Sequence, residues 1–132
     1  MRRFTDAIIV DKSALFRAGM SRVLSNTPFR VKAAVASVAA IPEPALKGKT
    51  NMILLMGVDG CSETDLANLS SLKSDYPLLN VVALGGKFDL KAVCEALEAG
   101  ADGYLLKEQI STEALLKSLE VILLGEAVLP RR

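Results

Sequence analysis

The chain of 132 residues contains no histidine and no tryptophan, and only two cysteines, Cys61 and Cys94. Without histidine there can be no imidazole general base, no Ser-His-Asp triad and no zinc site built on imidazole. The two cysteines stand apart, with no Cys-x-x-Cys and no metal-ligand spacing, which predicts incidental thiols in a reducing compartment. Aromatic residues make up 5% of the chain and the formal net charge is +1. Charge this balanced offers neither a broad basic footprint for nucleic acid nor a polybasic membrane face. Arg2-Arg3 and Arg131-Arg132 form short terminal clusters that are expected to be solvated ends. No apolar run approaches the ~20 residues that span a bilayer, and the N-terminus lacks the apolar core and cleavage site of a signal peptide. The expectation is a soluble cytoplasmic domain that touches neither membrane nor DNA directly.

What the chain does have is apolar mass, 51% of its residues, enough for one domain with a single sizeable core. Short apolar runs recur at roughly two dozen residues, each followed by a stretch of helical period. Ala7–Val10 is the first strand, continuous enough to be buried on both faces. Ser13 is placed to cap the following helix, whose inner stripe is Leu15, Phe16, Gly19, Met20, Val23 and Leu24. Phe29–Ser37 alternates loosely, as an edge strand does. In Ala39–Leu46, Pro42 and Pro44 allow only a short or distorted helix, closed by Gly48. Met52–Met56 is the third strand, stopping at a loop from Gly57 to Gly60.

Ser62 and Asp65 have the spacing of a capping box ahead of a helix with Leu66, Leu69, Leu72 and Tyr76 inward. Asn80–Leu84 is the fourth strand and ends at Gly85-Gly86. That pair is explained by a tight turn, or by backbone N–H groups brought toward an anion. Leu90, Val93, Cys94 and Leu97 form the next inner stripe, closed by Gly100. Asp102–Leu106 is the fifth strand. Ile110–Leu124 is the last helix, capped by Ser111, with Leu115, Leu119, Ile122 and Leu123 inward. The alternation predicts a (βα)5 doubly wound parallel sheet over residues 1–125, with residues 126–132 opening a linker. In such a sheet the chemistry collects where strands end. No GxGxxG follows the first strand, so a dinucleotide site has no support.

The segments AIIVDKSALFRAGMSRVL, NMILLMG, VVALGG and AGADGYLLKE resemble the receiver domains of response regulators. The resemblance is strongest to those of LuxR/FixJ-type (NarL-like) transcription regulators, and it runs from Ala7 to about Leu129. It implies a flavodoxin-like fold, strand order 2-1-3-4-5, and a switch thrown by phosphorylation of an aspartate. It also implies a helix-turn-helix DNA-binding part to follow, for which the residues after Gly125 are too few. The family's chemistry uses an aspartate ending the third strand and an acid pair after the first to hold Mg²⁺. A hydroxyl after the fourth strand, a lysine after the fifth and a switching aromatic complete the set.

Carried across position by position, that set is only partly present. Met56 stands at the phosphoacceptor, and a thioether cannot form an acyl phosphate. The acid pair is Asp11 and Lys12, and a cation there repels Mg²⁺ by several kcal/mol at short range. Gly85 replaces the hydroxyl. Lys107 is retained, expected to pair with Asp11 or Asp59, and Tyr104 is the switching aromatic. Lys12 either folds inward onto Asp11 or Asp59 or is a solvated loop lysine.

The resemblance therefore implies a degenerate, phosphorylation-independent receiver: not an enzyme, without cofactor or bound metal. It would act by self-association through its first and last helices or through its last two. Leu116, Val121 and Leu124 are the candidate pairing surface. The alternatives are a small-ligand sensor using the vacated pocket, and a residual phosphoacceptor using Asp59.

Overall fold

The computed structural model describes residues 4–46, 52–86, 88–108 and 111–125. Five strands are described: β1 (Thr5–Val10), β2 (Phe29–Val35), β3 (Met52–Gly57), β4 (Asn80–Gly85) and β5 (Gly103–Leu106). They form one parallel sheet of order β2-β1-β3-β4-β5. The expected flavodoxin-like α/β topology is thus the observed one. Four α-helices are described: α1 (Ala14–Leu24), α2 (Glu63–Asp75), α3 (Leu90–Glu98) and α4 (Thr112–Leu123). Between β2 and β3 the described chain makes two 3₁₀ turns, Val38–Ala40 and Glu43–Ala45. The prolines expected to distort that segment thus leave it with no full α-helical turn there. Gly48, Ile110, the terminal arginine clusters and the linker at 126–132 lie outside the described residues.

The helices begin where side-chain caps allow. Ser13, Ser62 and Ser111 each accept a hydrogen bond from a backbone N–H in the first turn. Asp65 returns the favour to the Ser62 N–H at 3.0 Å, closing the capping box. That backbone hydrogen bond is the main cause holding the Asp65 carboxyl below its ordinary range. Its contribution is therefore full at neutral pH and is lost as pH falls through the lowered value.

Strand residues alternate between two cores. Ile8, Val10, Leu54, Met56, Ala83, Tyr104 and Leu106 face one side with Leu69 of α2 and Val93 and Ala96 of α3. Ile9, Ile53, Leu55, Val82, Leu84 and Leu105 face the other, against Met20 and Leu24 of α1 and Leu115, Leu119 and Ile122 of α4. The helices thus cover both faces, α2 and α3 on one, α1 and α4 on the other.

Two stripes differ from expectation. Leu15 is 84% exposed, because nine residues is 2.5 turns and sets it opposite Leu24, about 180° around the helix. In α3 the buried residues are Val93 and Ala96, while Leu90 opens the helix exposed and Cys94 faces outward.

Candidate functional site

Parallel pairing aligns the strand ends at one edge. Val10 stands opposite Met56, Met56 opposite Ala83, and Gly85 opposite Leu106. The ladder runs one bond further on each side: Asp11 N–H donates to Val35, Val58 N–H to Leu84, and Lys107 N–H to Gly85. Asp11, Gly57, Gly85 and Lys107 therefore converge at the carboxyl edge from four different strands. Regular backbone hydrogen bonding places them there.

Asp11 is the buried acid of this edge, 6% exposed. Its Oδ2 accepts from Lys107 Nζ at 2.9 Å, and its Oδ1 from the Ser13 N–H at 2.8 Å. The carboxylate fits because Gly57 has no side chain: a Cβ there would lie 1.8 Å from Asp11 Oδ2. Lys107 Nζ also lies 3.6 Å from Asp59 Oδ2 and 4.2 Å from the centre of the Phe16 ring. The ammonium is enclosed by two carboxylates and an aromatic face. Lys107 was expected to pair with one of the two acids; it meets both.

Asp59 turns back over the strand ends. Its Oδ1 accepts from the Gly86 N–H at 3.0 Å. Of the two explanations for Gly85-Gly86, the anion-directed N–H is present, and the anion is the chain's own carboxylate. Lys12, by contrast, does not fold onto Asp11 or Asp59. Its Nζ donates to the Gly60 carbonyl at 2.9 Å and lies 3.6 Å from Asp65 Oδ2, the side chain 60% exposed. Asp11 is already neutralised by Lys107 and Asp59 is turned toward Gly86. Asp65, fixed by its capping box, is the carboxylate left for Lys12.

Met56 faces the core on the α2/α3 side, 2% exposed, among Val10, Val38, Leu54 and Tyr104. The void beside it is about 10 Å³, barely enough for one water molecule. Tyr104 is also turned inward, 1% exposed. Its hydroxyl lies 1.9 Å from where a Gly85 Cβ would be, so the ring is inside because residue 85 is glycine. Burial is the main cause raising the Tyr104 phenol above its ordinary value, helped by the charges of Asp59 and Asp89. The hydroxyl therefore remains protonated at neutral pH.

A hexacoordinate divalent ion fits this edge poorly. Mg²⁺ demands an octahedron of hard oxygens. Here the acid of the first strand is taken up by Lys107, the neighbouring residue is a cation, and the third-strand position is sulfur. Among the described residues no group of three His, Cys, Asp or Glu side chains is arranged to hold a metal.

Two contributors gave no sequence signal. Arg17 of α1 donates from Nη1 to the Asp11 carbonyl at 2.7 Å and clamps the loop after β1. Phe16, assigned to the core, instead covers Lys107. Leu116 and Val121 lie on α4, and Leu124 is its C-cap. Leu116 packs partly on the core, Val121 is half-buried and Leu124 is 81% exposed.

Lys107→Met should lower the unfolding free energy by about 2 kcal/mol in urea denaturation. It strands the buried Asp11 carboxylate, and Lys107's partial exposure keeps the loss below that of a fully buried pair. Asp11→Asn in the Lys107→Met background should recover part of the loss, since the uncompensated charge is then gone.

No family model matches the chain. The transcriptional regulatory protein DegU of Brevibacillus brevis is 31% identical over 121 residues, covering 91% of this chain and 50% of DegU. The chain thus spans about half the length of that curated relative. The crystal structure of a LuxR family DNA-binding response regulator from Silicibacter pomeroyi is 30% identical, with a TM-score of 0.75 over 97% of this chain and 98% of that one. The receiver domain of the putative response regulator NarL from Mycobacterium tuberculosis superposes with a TM-score of 0.76 at 21% identity, covering 94% of this chain and 99% of that one. At that identity the likeness speaks for the fold.

Proposed function

Because this chain belongs to the response-regulator receiver domains of the NarL/LuxR type, we propose that it is a receiver whose regulatory state does not depend on phosphorylation. The observation that carries this is Asp59. Its carboxylate already lies 3.6 Å from Lys107, the lysine that the family resemblance makes part of the phosphorylation set, and accepts from the Gly86 N–H at 3.0 Å. Met56 offers no nucleophile in place of the aspartate. The domain is then non-enzymatic and works by protein contact in the cytoplasm. Residues 126–132 lead toward a C-terminal helix-turn-helix that binds DNA. Among the described residues no helix is long and apolar enough to cross a membrane.

Acetyl phosphate with Mg²⁺, followed by intact-mass spectrometry, should add no phosphoryl group to the wild-type chain. Incorporation abolished by Asp59→Ala would replace this reading with that of a relocated phosphoacceptor.

Self-association through α1 and α4 is the second part of the proposal. A groove of about 430 Å³ runs between these helices, with Leu15, Phe16, Val23 and Leu115 among its walls. Leu15 on α1 and Leu124 at the C-terminal cap of α4 add exposed apolar surface. Light scattering should show a dimer that Leu15→Glu converts to monomer without loss of thermal stability, because Leu15 packs against little. A chain that remains monomeric at high concentration would remove this part.

A further inference from the structure

Four strands end together at the carboxyl edge, and one short turn is fastened to the ends of the other three. After β3 the chain turns back between Val58 and Cys61, closed by the Cys61 N–H on the Val58 carbonyl at 3.1 Å. Gly60 takes a φ of 71°, the left-handed conformation that favours glycine at the third place of such a turn. Its two sides are anchored by packing and by the ladder: Val58 and Cys61 lie partly against the core, and the Val58 N–H bonds to Leu84.

The tip is different. Asp59 and Gly60 are exposed, and what fastens them is polar and drawn from three loops. From the side of β1, Lys12 Nζ donates to the Gly60 carbonyl at 2.9 Å. From the side of β4, the Gly86 N–H donates to Asp59 Oδ1 at 3.0 Å. From the end of β5, Lys107 Nζ stands 3.6 Å from Asp59 Oδ2. Glycine at residue 86 permits the approach, since a Cβ there would lie 3.2 Å from Asp59 Oδ2. A segment held by exposed hydrogen bonds and ion pairs, with little apolar burial, belongs to the low-stability end of a fold.

Release of the tip strands no charge. Lys107 keeps Asp11 at 2.9 Å, and Lys12 keeps Asp65 at 3.6 Å. Opening therefore avoids the large penalty of an unpaired buried ion. It costs only exposed contacts, which are weak singly and are screened by salt.

We propose that the turn Val58–Cys61 is a charge-latched strap: Lys12 and Lys107 hold its tip closed across the strand ends, and rising ionic strength opens it while the sheet stays folded. The closed strap keeps the loops after β1, β3 and β4 in one arrangement, and salt sets how much of the population has it. The proposal goes beyond the phosphorylation-independent reading and does not rest on it. Hydrogen exchange reads the opening of the strap, whereas the acetyl phosphate experiment reads phosphoryl uptake, so either can fail alone.

The test is amide hydrogen exchange of the whole chain followed by NMR, with the Ala40 N–H, bonded to the Ser37 carbonyl, as the reference for salt effects on exchange itself. Between 0.05 and 1 M NaCl the Gly86 N–H should exchange about fivefold faster, the scale of an exposed ion pair. The Leu54 and Val82 amides of the sheet should not change. Asp59→Asn keeps an oxygen for the Gly86 N–H and loses the charge; at low salt it should exchange as wild type does at high salt, with little further response. Asp59→Ala should be faster still. Lys12→Met should also speed the Gly86 N–H, although Lys12 bonds to Gly60, because both hold one tip. All these side chains are exposed or partly so, and the variants should fold. The proposal is overturned by any of four results: no salt response at Gly86, an undiminished response in Asp59→Asn, no effect of Lys12→Met on Gly86, or exchange of Gly86 only together with the sheet amides.

Discussion

Gly85→Thr is expected to cost about 3 kcal/mol of unfolding free energy, toward the upper end for overpacking a core. A Cβ at residue 85 would sit 1.9 Å from the Tyr104 oxygen and 2.7 Å from its Cζ. Both atoms belong to one rigid ring unit that is 1% exposed, so the whole ring must shift to relieve the clash. Backbone strain plays no part, since Gly85 is a strand residue outside the positive-φ glycines. The departure of Tyr104 has its own signature. Burial now holds the phenol above its ordinary value; in the variant its titration should move down toward that of a solvent-exposed phenol. In a Tyr104→Ala background the same substitution should cost under ~1 kcal/mol, because the two positions share one volume. A Gly85→Thr protein of wild-type stability with Tyr104 still shielded would show that glycine is not what admits the ring.

Met56→Asp should have the next largest effect. It places a carboxylate where the side chain is 2% exposed, beside a void of about 10 Å³ and apolar neighbours. Of the two lysines near this strand edge, Lys107 is already shared by Asp11 and Asp59, and Lys12 is engaged by the Gly60 carbonyl and Asp65. Loss of about 3–5 kcal/mol at neutral pH is expected, the scale of a buried charge without a partner. The pH dependence carries the sign. Such a carboxyl has a folded pKa raised above its unfolded value, so the folded state holds the proton longer. Stability relative to wild type is therefore best at acid pH and falls as pH rises through the unfolded value, levelling off above the folded one. Met56→Asn should show a smaller penalty and no such slope. If millimolar Mg²⁺ instead restored the Met56→Asp protein to wild-type stability, the edge would be a working metal site and the phosphorylation-independent reading would fall.

Both predictions depend on side chains meeting across strands, which marks the division between what the sequence could and could not say. The alternation of apolar runs with helical periods located all five strands, because a parallel strand buried on both faces leaves a continuous run such as AIIV or MILLM. Caps at Ser13, Ser62 and Ser111 were legible for the same reason: they are local, satisfied within four residues. What Met56, Lys12 and Gly85 can themselves donate or ligate was also plain, since residue type limits it.

Partners were not legible. That Lys107 serves both Asp11 and Asp59, that Lys12 goes to Gly60 and Asp65, and that Arg17 clamps the loop after β1 depend on groups 6 to 96 residues apart. Helix phase decided the rest: Leu15 and Leu90 fit the apolar count but were turned away from the sheet. Composition and periodicity thus determined which elements form. Only the folded sheet determined that two absent side chains, at Gly57 and Gly85, leave the volumes that Asp11 and Tyr104 occupy, because such a vacancy exists only once the neighbouring strand is in register.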